Sequence, residues 1–248
     1  MIVAVLSDVH GNREALEAVL EVVDRGGVQA LWFLGDLVGY NSDPDFCVEE
    51  ILRRAAHVVR GNHDKAAAGL LSSEWFNPVA KQAVQWTRRT ARADTLQDLA
   101  RLPAGPARPV AGYVLCHGTP MDEDRYMTEQ GAVAESFAWM WADGAARVCF
   151  FGHTHRPFAC LLSGPRARPE SLPPGGEISL EPGCACLINP GSVGQPRDGN
   201  PQASFGILNT DGSTYRTLRV PYNVRETQRK IRAAGLPREL ASRLVEGT

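Results

Sequence analysis

Ile2 to Leu6 is an unbroken apolar run rich in β-branched side chains that stops at Ser7 and Asp8. Such a run reads as a strand buried on both faces. Asn12 then caps a predicted helix to about Arg25, with Ala15, Leu16, Val19, Leu20 and Val23 at helical spacing. Gln29 to Leu34 repeats the strand signal and ends in Gly35 and Asp36. Asp43 at a cap and Pro44 in the first turn open a second helix, and His57 to Val59 is a third strand before the turn Arg60 to Asp64. Strand, turn and helix in this rhythm predict right-handed βαβ units and a largely parallel sheet, which places the chain in the α/β class.

Further along, Asn77 and Pro78 start a helix to about Thr90, and Asp94 caps a shorter one ending before Pro103. Strands are expected at Tyr113 to Cys116 and Arg147 to Phe151, with a helix between them from about Gln130 to Trp141. Residues 163–183 are rich in Pro and Gly and read as a hairpin excursion with a mobile tip. Shorter β-runs follow at Cys184 to Ile188, Ser204 to Leu208 and Thr214 to Val220, the last two joined by an Asp211-Gly212 turn. Helix closes the chain from Val224 onward. No composition shift marks a linker, so one domain across residues 1–248 is expected.

Composition narrows the function classes. With 248 residues, 44% hydrophobic and 22% charged, the chain can bury a large core without disulfides or a structural metal. A net charge of −2 with scattered Arg lacks the basic stripe that grips duplex phosphates, so nucleic acid is not an expected partner. No apolar run approaches the ~20 residues that span a bilayer, and no secretory signal is evident. The six cysteines lack framework spacing and read as reduced thiols of a cytoplasmic protein. Cys184 and Cys186 read as strand packing rather than a metal pair. Trp139 and Trp141 suit a core or a dimer face, and periodicity does not choose the oligomeric state.

The polar residues fall where the strands stop: Asp8-Val9-His10-Gly11, Gly35-Asp36, Gly61-Asn62-His63-Asp64, Cys116-His117-Gly118 and Gly152-His153-Thr154-His155. Ligands of parallel α/β sheets bind outside the carboxyl ends of strands, so these clusters converge. They hold five of the six histidines; His57 stands outside them and is read as structural. Carboxylate, imidazole and amide oxygen form a donor set for Mn²⁺, Fe or Zn²⁺ rather than thiol-seeking ions. Taken singly, each residue has a blander reading, Asp36 and Asn62 as caps and His10 or His117 as satisfied imidazoles. Jointly they point to metal.

In order and spacing these clusters resemble the five motifs of the calcineurin-like metallophosphoesterase superfamily, D-x-H, G-D, G-N-H-D/E, H beside G, and G-H-x-H, from Met1 to about Leu208. The chain is most similar to a small bacterial and archaeal phosphodiesterase-like branch in which Asn-Pro-Gly-Ser, here Asn189 to Ser192, follows the last motif. The resemblance implies an αββα sandwich of two mixed sheets flanked by helices. It implies two divalent ions, Mn first, with Fe, Zn, Ni or Mg as alternatives. Asp8, His10, Asp36 and His155 would hold one ion; Asp36, Asn62, His117 and His153 would hold the other, with Asp36 bridging. His63 would face the leaving oxygen as general acid or hydrogen-bond donor, oriented by Asp64.

The implied activity is hydrolysis of phosphodiester or phosphomonoester bonds of a small phosphorylated substrate by a metal-bridging hydroxide. Phosphoprotein or dinucleoside polyphosphate hydrolysis are alternatives, and a non-catalytic scaffold or a nuclease are weaker ones. Arg197, in Gln195-Pro196-Arg197-Asp198, suits a phosphate fork or a salt-bridged turn. Lid-like segments are expected near 70–77, 120–130 and 163–183, where Trp75, Phe76 and Tyr126 could stack a base.

Overall fold

The computed structural model describes residues 1–248 apart from 129, 165 and 171. In chain order the strands are β1 (Ile2–Leu6), β2 (Ala30–Phe33), β3 (His57–Val58), β4 (Tyr113–Leu115), β5 (Val148–Phe150), β6 (Pro157–Ser163), β7 (Arg166–Glu170), β8 (Glu177–Ser179), β9 (Ala185–Pro190), β10 (Ala203–Asn209) and β11 (Thr214–Val220). The helices are α1 (Arg13–Arg25), α2 (Pro44–Arg54), α3 (Asn62–Ala67), α4 (Pro78–Thr90), α5 (Ala93–Arg101), α6 (Gln130–Asp143), α7 (Val224–Ala233) and α8 (Arg238–Glu246).

Two mixed sheets pack face to face. One runs β3-β2-β1-β10-β11-β8 and the other β4-β5-β9-β6-β7. The β1–β2–β3 and β4–β5–β9 ladders are parallel, and every other pairing is antiparallel. The βαβ rhythm was therefore legible, but a largely parallel sheet is not what forms: the last third of the chain returns as antiparallel hairpins on the open edge of each parallel half.

The continuous apolar run of β1 follows from this layering. Val3 and Val5 point between the sheets, where they meet Trp32, Phe150, Ile188 and Tyr215. Ala4 and Leu6 point outward to the helix layer with Leu16, Val19 and Ile51. On the other side, Cys149, Phe151 and Leu187 pack beneath Phe137 and Met140 of α6. Period two thus delivers apolar side chains to both faces of each central strand.

Several local expectations change. Asp43 stands at the start of α2 but makes no capping bond, because Lys230 Nζ lies 3.1 Å from each of its carboxylate oxygens. Arg92, not Asp94, occupies the cap of α5, and Asp94 lies in its first turn. The turn after β3 winds directly into the short helix α3. β6, unmarked in the sequence reading, pairs with β7 and β9, while β8 crosses to the other sheet. The hairpin expected over 163–183 thus splits between the sheets; its residues 165 and 171, and residue 129 of the 120–130 segment, lie outside the described residues. Trp139 packs against the α6 cluster, whereas Trp141 is exposed. Among the described residues no helix is long and apolar enough to cross a membrane.

Asn12 ties three elements together. Its Oδ1 accepts from Ala15 N at 3.1 Å at the start of α1 and from Thr227 Oγ1 of α7 at 3.3 Å, and its Nδ2 donates to Gly194 O at 2.9 Å. It is fully buried. Asn12→Ala leaves two backbone groups unpaired, and we expect a loss of about 2–3 kcal/mol with a fall of about 5–10 °C in Tm. A thermal melt within about 1 °C of wild type would refute this role.

Candidate metal centre

Five exit loops carry the polar clusters to one place, and they do so through unusual backbone. Asp8 (φ 54°), His10 (50°), Asp36 (61°), His153 (65°) and His155 (59°) all occupy the left-handed region; among the described residues the only other non-glycine there is Ser213. Left-handed backbone costs an ordinary residue about 1–3 kcal/mol and persists only where the surroundings enforce it. The enforcement is visible. The β1 and β2 exit loops continue their ladder past the strands, through Asp8 N to Gly35 O (3.0 Å), His10 N to Asp36 O (3.0 Å) and Gly11 N to Leu37 O (2.8 Å).

The Asn-Pro-Gly-Ser segment braces two further loops. Asn189 Nδ2 donates to Gly152 O (2.7 Å) and Thr154 Oγ1 (3.0 Å), fixing the loop that carries His153 and His155. Ser192 Oγ donates to Asp8 O at 2.8 Å. Gly61 must be glycine, because a Cβ there would collide with the Asp36 carboxylate.

Asp64 does not orient His63. Its carboxylate instead accepts from four backbone N–H groups, Asp36 at 2.8 Å, Leu37 at 2.8 Å, Val38 at 3.3 Å and Gly61 at 3.0 Å. It thereby clamps the Asp36 loop to the start of α3. Those donors favour the ionised form, while burial and the Asp36 charge push its carboxyl up to about 7.

Two groups of side chains result, each with its ligand atoms within 4.8 Å of one another: Asp8, His10, Asp36 and His155, and Asp36, His117 and His153. Asn62 Oδ1 lies 3.2 Å from His117 Nε2 and joins the second group. The sequence-predicted ligands are thus brought together in the predicted division, with Asp36 common to both.

The tautomers are set by carbonyls. His10 Nδ1 faces Val38 O (2.9 Å), His117 Nδ1 faces Leu34 O (2.7 Å), His155 Nδ1 faces Gln195 O (2.6 Å) and His153 Nε2 faces Asp124 O (3.1 Å). A ring that donates from one nitrogen turns the lone pair of the other inward, as ligating histidines do. Asp36 Oδ2 is buried without a hydrogen-bond partner, 3.5 Å from His10 Nε2 and 3.4 Å from His117 Nε2.

These observations decide whether metal fits. His10 Nε2 and His155 Nε2 face each other at 3.0 Å, and burial holds both rings well below the usual imidazole range, so neither readily supplies a proton between them. His117 is the opposite case. Burial would lower it, but the Asp36 charge beside it raises it to about 10, so its Nε2, 3.4 Å from Asp36 Oδ2 and 3.2 Å from Asn62 Oδ1, keeps a proton. Burial raises Asp8 to about 7, with the Asp36 charge adding to it, and lowers His153 to about 3, with His117 adding to it. A divalent cation in each group satisfies the facing lone pairs and displaces the protons, so the residues fit two such ions.

Arg197 reaches the same centre. Its Nη2 donates to Tyr40 Oη (3.1 Å) and Gln195 Oε1 (3.2 Å), and Arg219, not Arg197, pairs with Asp198. The salt-bridged-turn reading therefore belongs to Asp198 alone. Tyr40, which the sequence did not single out, is buried between His10 and His63, with ring centroids 4.5 Å from each. Only its position four residues after Asp36 hinted at this. His57 packs edge-on to Trp32, and neither Cys184 nor Cys186 joins a metal-ligating cluster among the described residues.

The proton inventory generates a prediction. In the metal-free site His117 keeps a proton at both pH 6 and pH 8, whereas Asp8 and Asp64, raised to about 7 by burial, give theirs up across that interval. Mn²⁺ uptake should release more protons at pH 6 than at pH 8, with affinity rising as pH rises, and His117→Gln should lower the release at both. Calorimetric titration in buffers of different ionisation enthalpy measures this; proton release independent of pH would refute it.

Comparison with known proteins agrees with the geometry. Residues 1–213 match the model of the calcineurin-like phosphoesterase superfamily domain. An uncharacterized protein of Methanocaldococcus jannaschii is 33% identical over 253 residues, covering 99% of this chain and 98% of its own. A crystal structure of a metallophosphoesterase from Sphaerobacter thermophilus is 38% identical, superposes with a TM-score of 0.86 and covers 100% of this chain and 99% of its own. A hypothetical protein of Pyrococcus horikoshii shares the fold at 18% identity, with a TM-score of 0.74 over 100% of this chain and 98% of its own. With its family model, its full-length relatives and its paired ligand groups in agreement, the chain belongs to the calcineurin-like phosphoesterase superfamily.

Proposed function

We propose that this protein is a binuclear metal-dependent hydrolase of phosphate esters, acting on a small phosphorylated substrate in the cytoplasm with Mn²⁺ as the preferred ion. The observation that carries the reading is the orphaned Asp36 Oδ2, buried between both ligand groups. Two divalent ions bound there would lower the pKa of a bound water and offset charge on the phosphoryl oxygens. Asp8, His10, Asp36 and His155 would hold one, and Asp36, Asn62, His117 and His153 would hold the other.

The remaining roles belong to the chain itself. Arg197 has no carboxylate partner within ion-pair distance among the described residues, and its guanidinium lies 5.6 Å above the Tyr40 ring, so it is free to fork onto a phosphoryl oxygen. His63 is 4% exposed, at the floor of an open cleft of about 460 Å³. Burial lowers its pKa to about 4, so at neutral pH it is an uncharged imidazole. In this reading His63 donates a hydrogen bond to the leaving oxygen rather than delivering a proton from an imidazolium.

A complete ligand set supports an enzyme over a scaffold, and the net charge of −2 supports a small substrate over a polynucleotide. The six free thiols are in keeping with a reducing compartment.

Turnover of bis-p-nitrophenyl phosphate and p-nitrophenyl phosphate with and without Mn²⁺ tests the proposal. Activity should require the metal and fall to background in Asp36→Asn. His63→Ala should cost about 10²-fold or more on an alkyl ester and much less on a p-nitrophenyl ester, whose leaving group needs little help. Since His63 stays neutral, no limb of the wild-type rate profile between pH 5 and 8 should disappear in His63→Ala. Metal-independent activity, or equal losses on both esters, would contradict these roles.

A further inference from the structure

The cleft above His63 has a composition that the metal centre does not explain. Trp75, in the 3-10 turn Ser73–Trp75, is 88% exposed, and Tyr126 is 47% exposed; both line this cleft. Tyr126 stacks on the His153 ring, with centroids 3.7 Å apart and an interplanar angle of 20°. Phe76 packs on the His63 ring at 4.9 Å. Leu71 adds to the apolar lining. Two of the three lid-like segments of the sequence therefore border the site, and no described residue of 163–183 lines it.

The charges in the cleft point the same way. No Lys or Arg lines it, and Asp124, on its rim, is held by Lys65 Nζ at 2.7 Å. A chain of further phosphates on the leaving side would meet aromatic rings and the Asp124–Lys65 ion pair, with no unpaired cation among the described lining residues. A flat, uncharged ring system would find π-faces to stack on and apolar area to cover. The volume, about 460 Å³, is that of an ordinary small-ligand pocket.

Resting on the phosphoesterase reading above, we infer that Trp75 and Tyr126 form the leaving-group subsite, and that it takes an uncharged aromatic group such as a nucleobase rather than a polyphosphate or an aliphatic alcohol. Hydrolysis then breaks the bond between phosphorus and the ester oxygen, with water supplying the new P–O bond. The leaving oxygen, hydrogen-bonded by His63, departs as the alcohol while its ring stays stacked on the lip. Trp75 touches only the group beyond the scissile bond and sets specificity, whereas Tyr126 also packs on the His153 ring.

Adenosine 5′-monophosphate and ribose 5-phosphate share the phosphate and sugar and differ in the base, which makes them a matched pair. With the Mn²⁺-loaded full-length protein, kcat/KM for adenosine monophosphate should exceed that for ribose 5-phosphate by about tenfold or more, chiefly through KM. Trp75→Ala should bring adenosine monophosphate down toward the ribose 5-phosphate value and leave ribose 5-phosphate unchanged, and Trp75→Phe should restore most of the difference. Adenosine triphosphate should be a poorer substrate than the monophosphate. Equal values for the matched pair, equal losses on both in the variants, or a preference for the triphosphate would overturn the inference. If neither ester turns over, bis-p-nitrophenyl phosphate with Mn²⁺ tests the phosphoesterase reading separately, and dissociation constants of the same two ligands, measured by calorimetry, decide the subsite by the same ratios.

Discussion

Five buried aspartates and histidines held in left-handed backbone are the constraint on which the rest of this structure depends. Each strand must deliver its ligands within a few residues of its end, with Asp8 two after β1, Asp36 three after β2 and His153 three after β5, and turn away. A single left-handed residue does this in the shortest length, at a conformational cost that Gly would avoid and a ligand cannot. The surrounding hydrogen bonds exist to hold that geometry. Asp64 spends its entire carboxylate on four backbone N–H groups around Asp36, and Asn189 and Ser192 pin the loops of His153 and Asp8.

The electrostatics follow from the same burial. Several imidazoles and three carboxylates removed from water cannot all keep their ordinary protonation. Without metal, the cluster resolves the conflict by keeping His10, His63, His153 and His155 neutral and His117 charged against Asp36. The backbone carbonyls that take one N–H from each of His10, His153 and His155 then leave lone pairs facing inward. A site organised in this way is pre-arranged for cations, because its least satisfied atoms are the ones a cation would satisfy.

Much of this was legible in the sequence because two local signals coincided. The doubly buried runs of β1, β2 and β5 marked strands, and the polar clusters at their ends marked where ligands converge. What escaped the sequence depends on partners distant along the chain. β6 begins at Pro157, after an Arg, and only its pairing with β9 identifies it as a strand. Asp64 sits beside His63 in sequence, yet its acceptors serve a loop 26 to 28 residues earlier. Tyr40 reads as an ordinary core aromatic until the loops fold over it. The parallel ladders were inferred from strand–helix alternation, whereas the antiparallel return of β10 and β11 onto β1 is a choice of sheet edge that no local pattern encodes.

Diffraction from crystals grown with Mn²⁺, using the anomalous signal to place the ions, tests the central claim most directly. Two peaks about 3.5–4 Å apart with Asp36 between them would bear it out. A single ion, or ions bound away from Asp36 while the Asp8, His117 and His155 side chains keep their present contacts, would contradict it.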